Sequence, residues 1–360
     1  MTTPYYRDEQ VTLWLGDALD VLRTLPDESV DCIVTSPPYY GLRSYTPDLL
    51  VRRSDLTRDE RQRFLHEMNK LDLLRNPPRY SRPEIPAELM DLFQPAEYGA
   101  EKTPAEYVVT MRAVFAEAKR VLAKDGTCWI NLGDSYYSGK GEPTQPDLKN
   151  VARRPGKRVL DGPSFGLARK NLIGIPWRVA FALQDDGWTL RNDVIWHKPN
   201  AMPESIGDRL ATRYEHVFLL TRSARYWFDL DAIRVPHMAS TLAAAQRARS
   251  PYTTPGQKPN TKSRPTGEHG ANPGDLWGIN TRPYPEAHFA VMPIELPVRC
   301  IKAGCKPGGT VLDPFSGSGT TGEAARKLGR RYVGIDLNPA YHDLAIKRFA
   351  QGVLDLNPAA

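Results

Sequence analysis

Cysteine is scarce in this chain. Four thiols in 360 residues, Cys32, Cys128, Cys300 and Cys305, are scattered, without the paired spacing or accompanying histidines of a zinc site. Three of them lie in or beside apolar runs, so buried free thiols in a reducing compartment are expected, and no metal-binding residues are assigned. Long apolar runs are missing too. No stretch approaches the roughly 20 residues that span a bilayer, and the opening Met-Thr-Thr-Pro-Tyr-Tyr-Arg lacks an apolar signal region. A soluble, cytoplasmic protein is expected. Nor does one sign of charge dominate: 48 Lys and Arg against 42 Asp and Glu leave a net charge of +6. That mild excess permits a polyanionic partner without requiring one. The hydrophobic fraction of 41% supports a real core, and the length suits one large α/β domain with insertions or two small domains.

What is present centres on residues 30–40, Val-Asp-Cys-Ile-Val-Thr-Ser-Pro-Pro-Tyr-Tyr. The β-branched, apolar run Val30 to Val34 reads as a buried strand. Ser36-Pro37-Pro38 ends it, because proline has no N–H for a ladder and forces its predecessor into an extended shape. Two prolines hold their carbonyls stiffly, and Tyr39 offers an aromatic face beside them. Such a turn either simply ends a strand or grips a planar base by its exocyclic amine.

The second informative stretch is Thr310-Val-Leu-Asp-Pro-Phe-Ser-Gly-Ser-Gly-Thr-Thr-Gly322. A strand (310–312) runs into a glycine-rich turn, a helix follows from Thr320 to Leu328, and Asp336 ends the next strand (332–335). Gly317-x-Gly319-x-x-Gly322 fits a dinucleotide fingerprint, in which glycine lets the backbone approach a ligand and the acid grips ribose hydroxyls. Against a nicotinamide dehydrogenase stand the extra carboxylate Asp313 and the hydroxyls Ser316, Ser318, Thr320 and Thr321. These suit a ligand with an amino-acid tail better than a pyrophosphate, and Phe315 is placed to pack on an adenine.

Elsewhere the pattern is α/β. A strand over 11–15 ends in Gly16-Asp17 before a helix over 18–25. Thr103-Pro104-Ala105-Glu106 opens a helix whose apolar face runs from Tyr107 to Leu122 and which Gly126 stops, ahead of a strand over 127–132. Residues 176–184 read as a helix, and 188–196 and 216–221 as strands. Between them lie three atypical segments. Residues 46–100 look like an insertion with a capping box at Thr57-x-x-Glu60 and a helix carrying Phe64, Leu65, Met68, Leu71 and Leu74; a surface excursion and a flap over the substrate are both open. Residues 138–170 read as a mobile basic loop. Residues 236–285, rich in Pro, Gly, Arg and Lys, are either a disordered linker or a segment that orders on nucleic acid.

Ser36-Pro37-Pro38-Tyr39 together with Asp313-Pro-Phe-Ser-Gly-Ser-Gly-Thr-Thr resembles the exocyclic amino-methyltransferases of DNA. The catalytic turn precedes the cofactor turn, an order that resembles the beta group of that family. The resemblance implies a Rossmann-like, S-adenosylmethionine-dependent methyltransferase sheet, circularly permuted, with inserted helical and target-recognition segments. It divides the chain into a catalytic half (1–45 and 101–235), a helical insertion (46–100), a candidate target-recognition segment (236–285) and a cofactor half (286–360). It implies catalytic roles for Ser36, Pro37, Pro38 and Tyr39, and cofactor contacts from Asp17, His288, Phe289, Asp313, Phe315, Ser316, Gly317, Ser318, Gly319, Thr320, Thr321 and Asp336. The implied cofactor is S-adenosylmethionine. The implied partner is double-stranded DNA, with a cognate restriction endonuclease as companion; monomer and homodimer both stay open. Ser in the first motif position goes with cytosine N4, Asp with adenine N6, and adenine N6 is the alternative substrate. Cytosine carbon-5 chemistry would need a Pro-Cys that the chain lacks. A DNA-binding protein that kept the fold without activity is the reading from a different class.

Overall fold

A computed structural model describes residues 3–41, 98–138, 166–240, 270–282 and 291–354, with short pieces between 49 and 95. The chain forms two compact units: residues 1–35, 117–131 and 187–360 make the first, and 36–116 and 132–186 the second.

The first unit is built on one nine-stranded sheet. Its strands are β1 (Tyr6–Arg7), β2 (Val11–Leu15), β3 (Val30–Thr35), β7 (Leu122–Leu132), β8 (Thr189–His197), β9 (Tyr214–Thr221), β10 (Leu276–Gly278), β11 (Thr310–Asp313) and β12 (Arg331–Asp336); the strands β4 (Leu49–Arg52), β5 (Arg79–Ser81) and β6 (Phe93–Pro95) belong to the other unit. The spatial order is β1-β2-β12-β11-β3-β7-β9-β8-β10. The five central strands, β2 to β7 in that order, pair in parallel. Parallel strands are covered on both faces and therefore read as continuous apolar runs rather than alternating ones. Val30, Cys32, Ile33 and Val34 of β3 and Val311 and Leu312 of β11 are all buried, as that geometry demands.

Strands from the two ends of the chain lie side by side: β3 pairs with β11, Cys32 opposite Val311 and Ile33 opposite Leu312. From β11 the chain passes through α5 (Thr320–Lys327) to β12, and from β3 it passes through α2 (Pro104–Val121) to β7 on the other side. Strand order thus reverses between β3 and β11, the place where open α/β sheets bind ligands beyond their carboxyl ends. The permuted Rossmann-like sheet expected from the sequence is present. The remaining helices are α1 (Ala18–Thr24), α3 (Ile175–Asp185), α4 (Glu295–Gly304) and α6 (Pro339–Leu354). All four cysteines are free and buried.

One boundary differs. Gly126 does not stop α2, because that helix ends at Val121 and β7 begins at Leu122. Gly126 lies inside the strand, where a Cβ would stand 2.8 Å from the Asp31 carbonyl. Close backbone approach, not helix termination, explains this glycine. The capping box at Thr103 forms in altered shape: Glu106 N–H donates to Thr103 Oγ1, and the Glu106 carboxylate reaches back to Lys102 N–H.

The second unit holds the first three turns of α2, helix α3 and a three-stranded antiparallel sheet, β4 (Leu49–Arg52) flanked by β5 (Arg79–Ser81) and β6 (Phe93–Pro95). Those short strands lie within the insertion and carry no period long enough to read in sequence. Helical residues occur at 59–60, 62–63 and 66–67, within the helix expected there. Arg112 of α2 pairs with Asp186 at the end of α3. The basic loop 139–165 and residues 241–269 lie outside the described residues. At the base of the latter segment Val235 and Ala271 exchange backbone hydrogen bonds of 3.0 and 2.8 Å. No described helix is long and apolar enough to cross a membrane.

Candidate functional site

At the carboxyl end of β11 the chain turns through Asp313-Pro-Phe-Ser-Gly-Ser-Gly before α5. Gly317 and Gly319 have φ of +50° and +78°, a region that favours glycine. The turn uses its own amide donors internally. Phe315 N–H donates to Asp313 Oδ1 (3.1 Å), Gly317 N–H to Asp336 Oδ2 (2.8 Å), Ser316 N–H to the Ile335 carbonyl and Gly319 N–H to the Ser316 carbonyl (both 2.9 Å). A pyrophosphate site needs such donors pointing at the ligand. Here four of the turn's donors serve the fold, and the turn also presents carboxylates, which suit a pyrophosphate poorly.

The turn offers acceptors instead. Asp313 is 3% exposed and also accepts from Thr35 Oγ1 at 2.6 Å. Burial pushes its carboxyl up to about 6. Burial likewise raises Asp336 to about 6, against hydrogen bonds from Asn338 and Gly317 N–H that favour its charged form. A buried acid beside a half-buried one suits a ligand that brings hydroxyls and positive charge. A Cβ on Gly317 would meet nothing within 4 Å, so this face of the turn is open. Carboxylates, an open glycine and the partly exposed Phe315 fit a nucleoside with a cationic amino-acid tail.

The hydroxyls are held inside the fold. Ser316 accepts from Tyr332 Oη (2.8 Å), Ser318 from Arg348 (3.2 Å) and Thr320 also from Arg348, while Thr321 donates to the Val34 carbonyl (3.4 Å). All four are buried. The acid expected at the next strand end, Asp17, caps α1 by accepting from Leu19 and Asp20 N–H. Its neighbour Gly16 donates to the Asp336 carbonyl at 2.9 Å, which puts the two acids on adjoining strand ends. His288 and Phe289 lie outside the described residues. Among those residues no group of three His, Cys, Asp or Glu could hold a metal ion.

The Ser-Pro-Pro-Tyr turn belongs to the second unit and starts one residue after Thr35, the residue bonded to Asp313. Ser36 Oγ–H donates to Tyr39 Oη at 3.3 Å. Tyr107 of α2 donates to the Pro38 carbonyl at 3.0 Å, and burial pushes that phenol well above its ordinary range. Glycines make room for the tyrosine: a Cβ on Gly133 would stand 2.7 Å from the Tyr39 ring, and one on Gly99 2.7 Å from the Tyr39 carbonyl. Near this turn Glu101 has its carboxyl raised to about 7, mainly by burial. Asp134 accepts from Gly174 and Ile175 N–H and so caps α3. Thr35, Tyr107, Tyr332 and Arg348 carry no motif, and only the fold reveals them.

Comparison with known proteins agrees with this geometry. The DNA methylase family model of the N6/N4 type matches residues 30–347. The chain is similar to the Type II methyltransferase M.Cfr9I of Citrobacter freundii, 40% identical over 337 residues that cover 94% of this chain and 87% of the relative. It is similar to M.SmaI of Serratia marcescens, 37% identical over 334 residues, 93% and 89% of the two chains. In fold it is similar to the solved PvuII DNA methyltransferase (cytosine-N4-specific), with a TM-score of 0.57, 18% identity and coverage of 96% and 88%. A putative DNA modification methylase of Thermus thermophilus, solved with S-adenosyl-L-methionine, aligns with a TM-score of 0.50, 21% identity and coverage of 95% and 93%. From the glycine turn, the Ser-Pro-Pro-Tyr turn and these matches together, the chain belongs to the N6/N4 family of DNA methylases.

Proposed function

We propose that this S-adenosylmethionine-dependent DNA methyltransferase acts on the exocyclic N4 of a cytosine everted from duplex DNA at a specific sequence. One observation carries the reading. Thr35, which ends β3 bonded to Asp313 of the cofactor turn, is followed directly by Ser36-Pro37-Pro38-Tyr39. Bound S-adenosylmethionine supplies an electrophilic methyl group on a sulfonium. Asp336 would accept from its ribose hydroxyls, Asp313 would hold its cationic tail, and Phe315 would pack on its adenine.

The nitrogen to be methylated has its lone pair drawn into the base, so the protein must fix and polarise it. Ser36 Oγ and the Pro37 carbonyl accept the two N–H groups and aim the nitrogen, while Tyr39 stacks on the ring. Tyr107, holding the Pro38 carbonyl, keeps the acceptors in place before the base arrives. Alignment of this kind contributes up to about 7–11 kcal/mol in favourable cases, and preorganised acceptors stabilise the charge that develops on nitrogen. Everting the base costs a few kcal/mol, offset by stacking on Tyr39 and by phosphate contacts from basic segments. Ser36 in the first motif position supports cytosine over adenine.

A cognate endonuclease that cuts the same site fits this role. Sequencing of DNA from cells that express the chain, read for modified bases, tests the proposal. One short recurring sequence carrying N4-methylcytosine is expected; modified adenine at that site would overturn the choice of base.

A further inference from the structure

We infer that Arg348 is the positioning residue of the cofactor turn, a guanidinium bridge that fixes Ser318 and Thr320 on either side of Gly319. It sits on α6, distant in sequence from the glycine motif, and is 6% exposed. Its Nη1 donates to Thr320 Oγ1 and its Nη2 to Ser318 Oγ at 3.2 Å, with the Glu323 carboxylate 3.7 Å away. The planar fork of this buried guanidinium reaches two acceptors at once through Nη1 and Nη2, which a lysine ammonium cannot reproduce.

The neighbours of Arg348 on its helix complete the support. A Cβ on Gly319 would lie 2.7 Å from Ala345 Cβ and 3.0 Å from the Phe349 ring, so one face of α6 forms the floor of the turn. With Ser316 held by Tyr332 and the next two hydroxyls held by Arg348, the turn reaches the ligand already shaped, leaving Gly317 and Phe315 outward. Preorganisation of this kind raises affinity by removing ordering that binding would otherwise require.

The inference rests on the cofactor reading above, and its test keeps the two apart. Arg348→Met, Arg348→Lys and the pair Ser318→Ala with Thr320→Val are compared in two measurements. The first is calorimetric affinity for S-adenosylhomocysteine; the second is amide hydrogen exchange over residues 317–320 in the unliganded protein. Arg348→Met is expected to weaken binding at least tenfold and to speed exchange in the turn, with Arg348→Lys recovering part of both. The hydroxyl pair should reproduce the loss and add nothing to Arg348→Met, and KM for DNA at saturating cofactor should stay within twofold. Affinity within twofold and unchanged exchange in Arg348→Met, or losses that multiply, would overturn the role of Arg348. If Arg348→Met fails to fold, the hydroxyl pair decides, because unchanged affinity there overturns the bridge. Failure of the unaltered protein to bind S-adenosylhomocysteine overturns the cofactor reading, while exchange in the turn still reports on Arg348.

Discussion

Asp313, buried, and Asp336, half-buried, stand at the ends of neighbouring strands, and that placement sets how the protein responds to pH. Each has a folded-state pKa of about 6 against 3.8 for the free side chain. Between those values the folded state holds the proton more tightly than the unfolded chain. Stability from these groups is therefore complete below the lower value and lost as pH rises through about 6, on the order of 1–3 kcal/mol each. Asp313→Asn removes the charge and keeps the shape, so the unliganded variant should melt a few degrees higher than the parent at pH 7. That gap should close as pH falls toward 4, and cofactor affinity at pH 7 should be down at least tenfold. A gap that widens in acid would contradict the assignment. For the unaltered protein, cofactor affinity should decline as pH drops below about 6, measured by titration across pH 5–8. At the other turn, Tyr39→Ala should lower kcat by roughly a hundredfold, since base stacking is worth about 1–3 kcal/mol, with cofactor affinity within twofold. Loss of both together would refute a role confined to stacking.

At the scale of elements, two glycines separate the two turns experimentally. Gly319→Ala forces a Cβ into Ala345 at a φ of +78° and should cost roughly 1–3 kcal/mol of stability, seen as a lower Tm, together with weaker cofactor binding. Gly133→Ala pushes a Cβ into the Tyr39 ring from 2.7 Å and should reduce turnover while leaving cofactor affinity within twofold. Normal turnover in Gly133→Ala would mean that the ring's present position is unimportant. Both turns were legible in the sequence because their chemistry is local: proline ends β3, and glycine opens the bend after β11. Their supports were not. Thr35 meets Asp313 across 278 residues and Tyr107 meets Pro38 across 69, contacts that no spacing encodes. The same limit applies to Ser316, Ser318 and Thr320, whose hydroxyls read as ligand groups in the sequence but hydrogen-bond Tyr332 and Arg348 in the fold. Gly126 read as a helix stop for a similar reason, since its close approach to Asp31 comes from strand pairing.

Across the whole chain, seven of the nine strands of the large sheet and the permuted order of its two halves were readable because each βα unit folds from its own stretch. Residues 30–35 and 310–313 pair in parallel, which gives the catalytic and cofactor motifs adjacent strands to leave from. The three short strands of the insertion, β1 and β10 were not legible, because two to four residues carry no period; β10 adds a strand beside β8 within residues 236–285, which read as a linker or a nucleic-acid segment. The methylated nucleoside reports directly which base the protein acts on. Purified protein is incubated with genomic DNA lacking modified bases and with S-adenosylmethionine deuterated in its methyl group, and the DNA is then digested and its nucleosides weighed by mass spectrometry. The account predicts label in N4-methyldeoxycytidine; label in N6-methyldeoxyadenosine or 5-methyldeoxycytidine, or in no nucleoside, would contradict it.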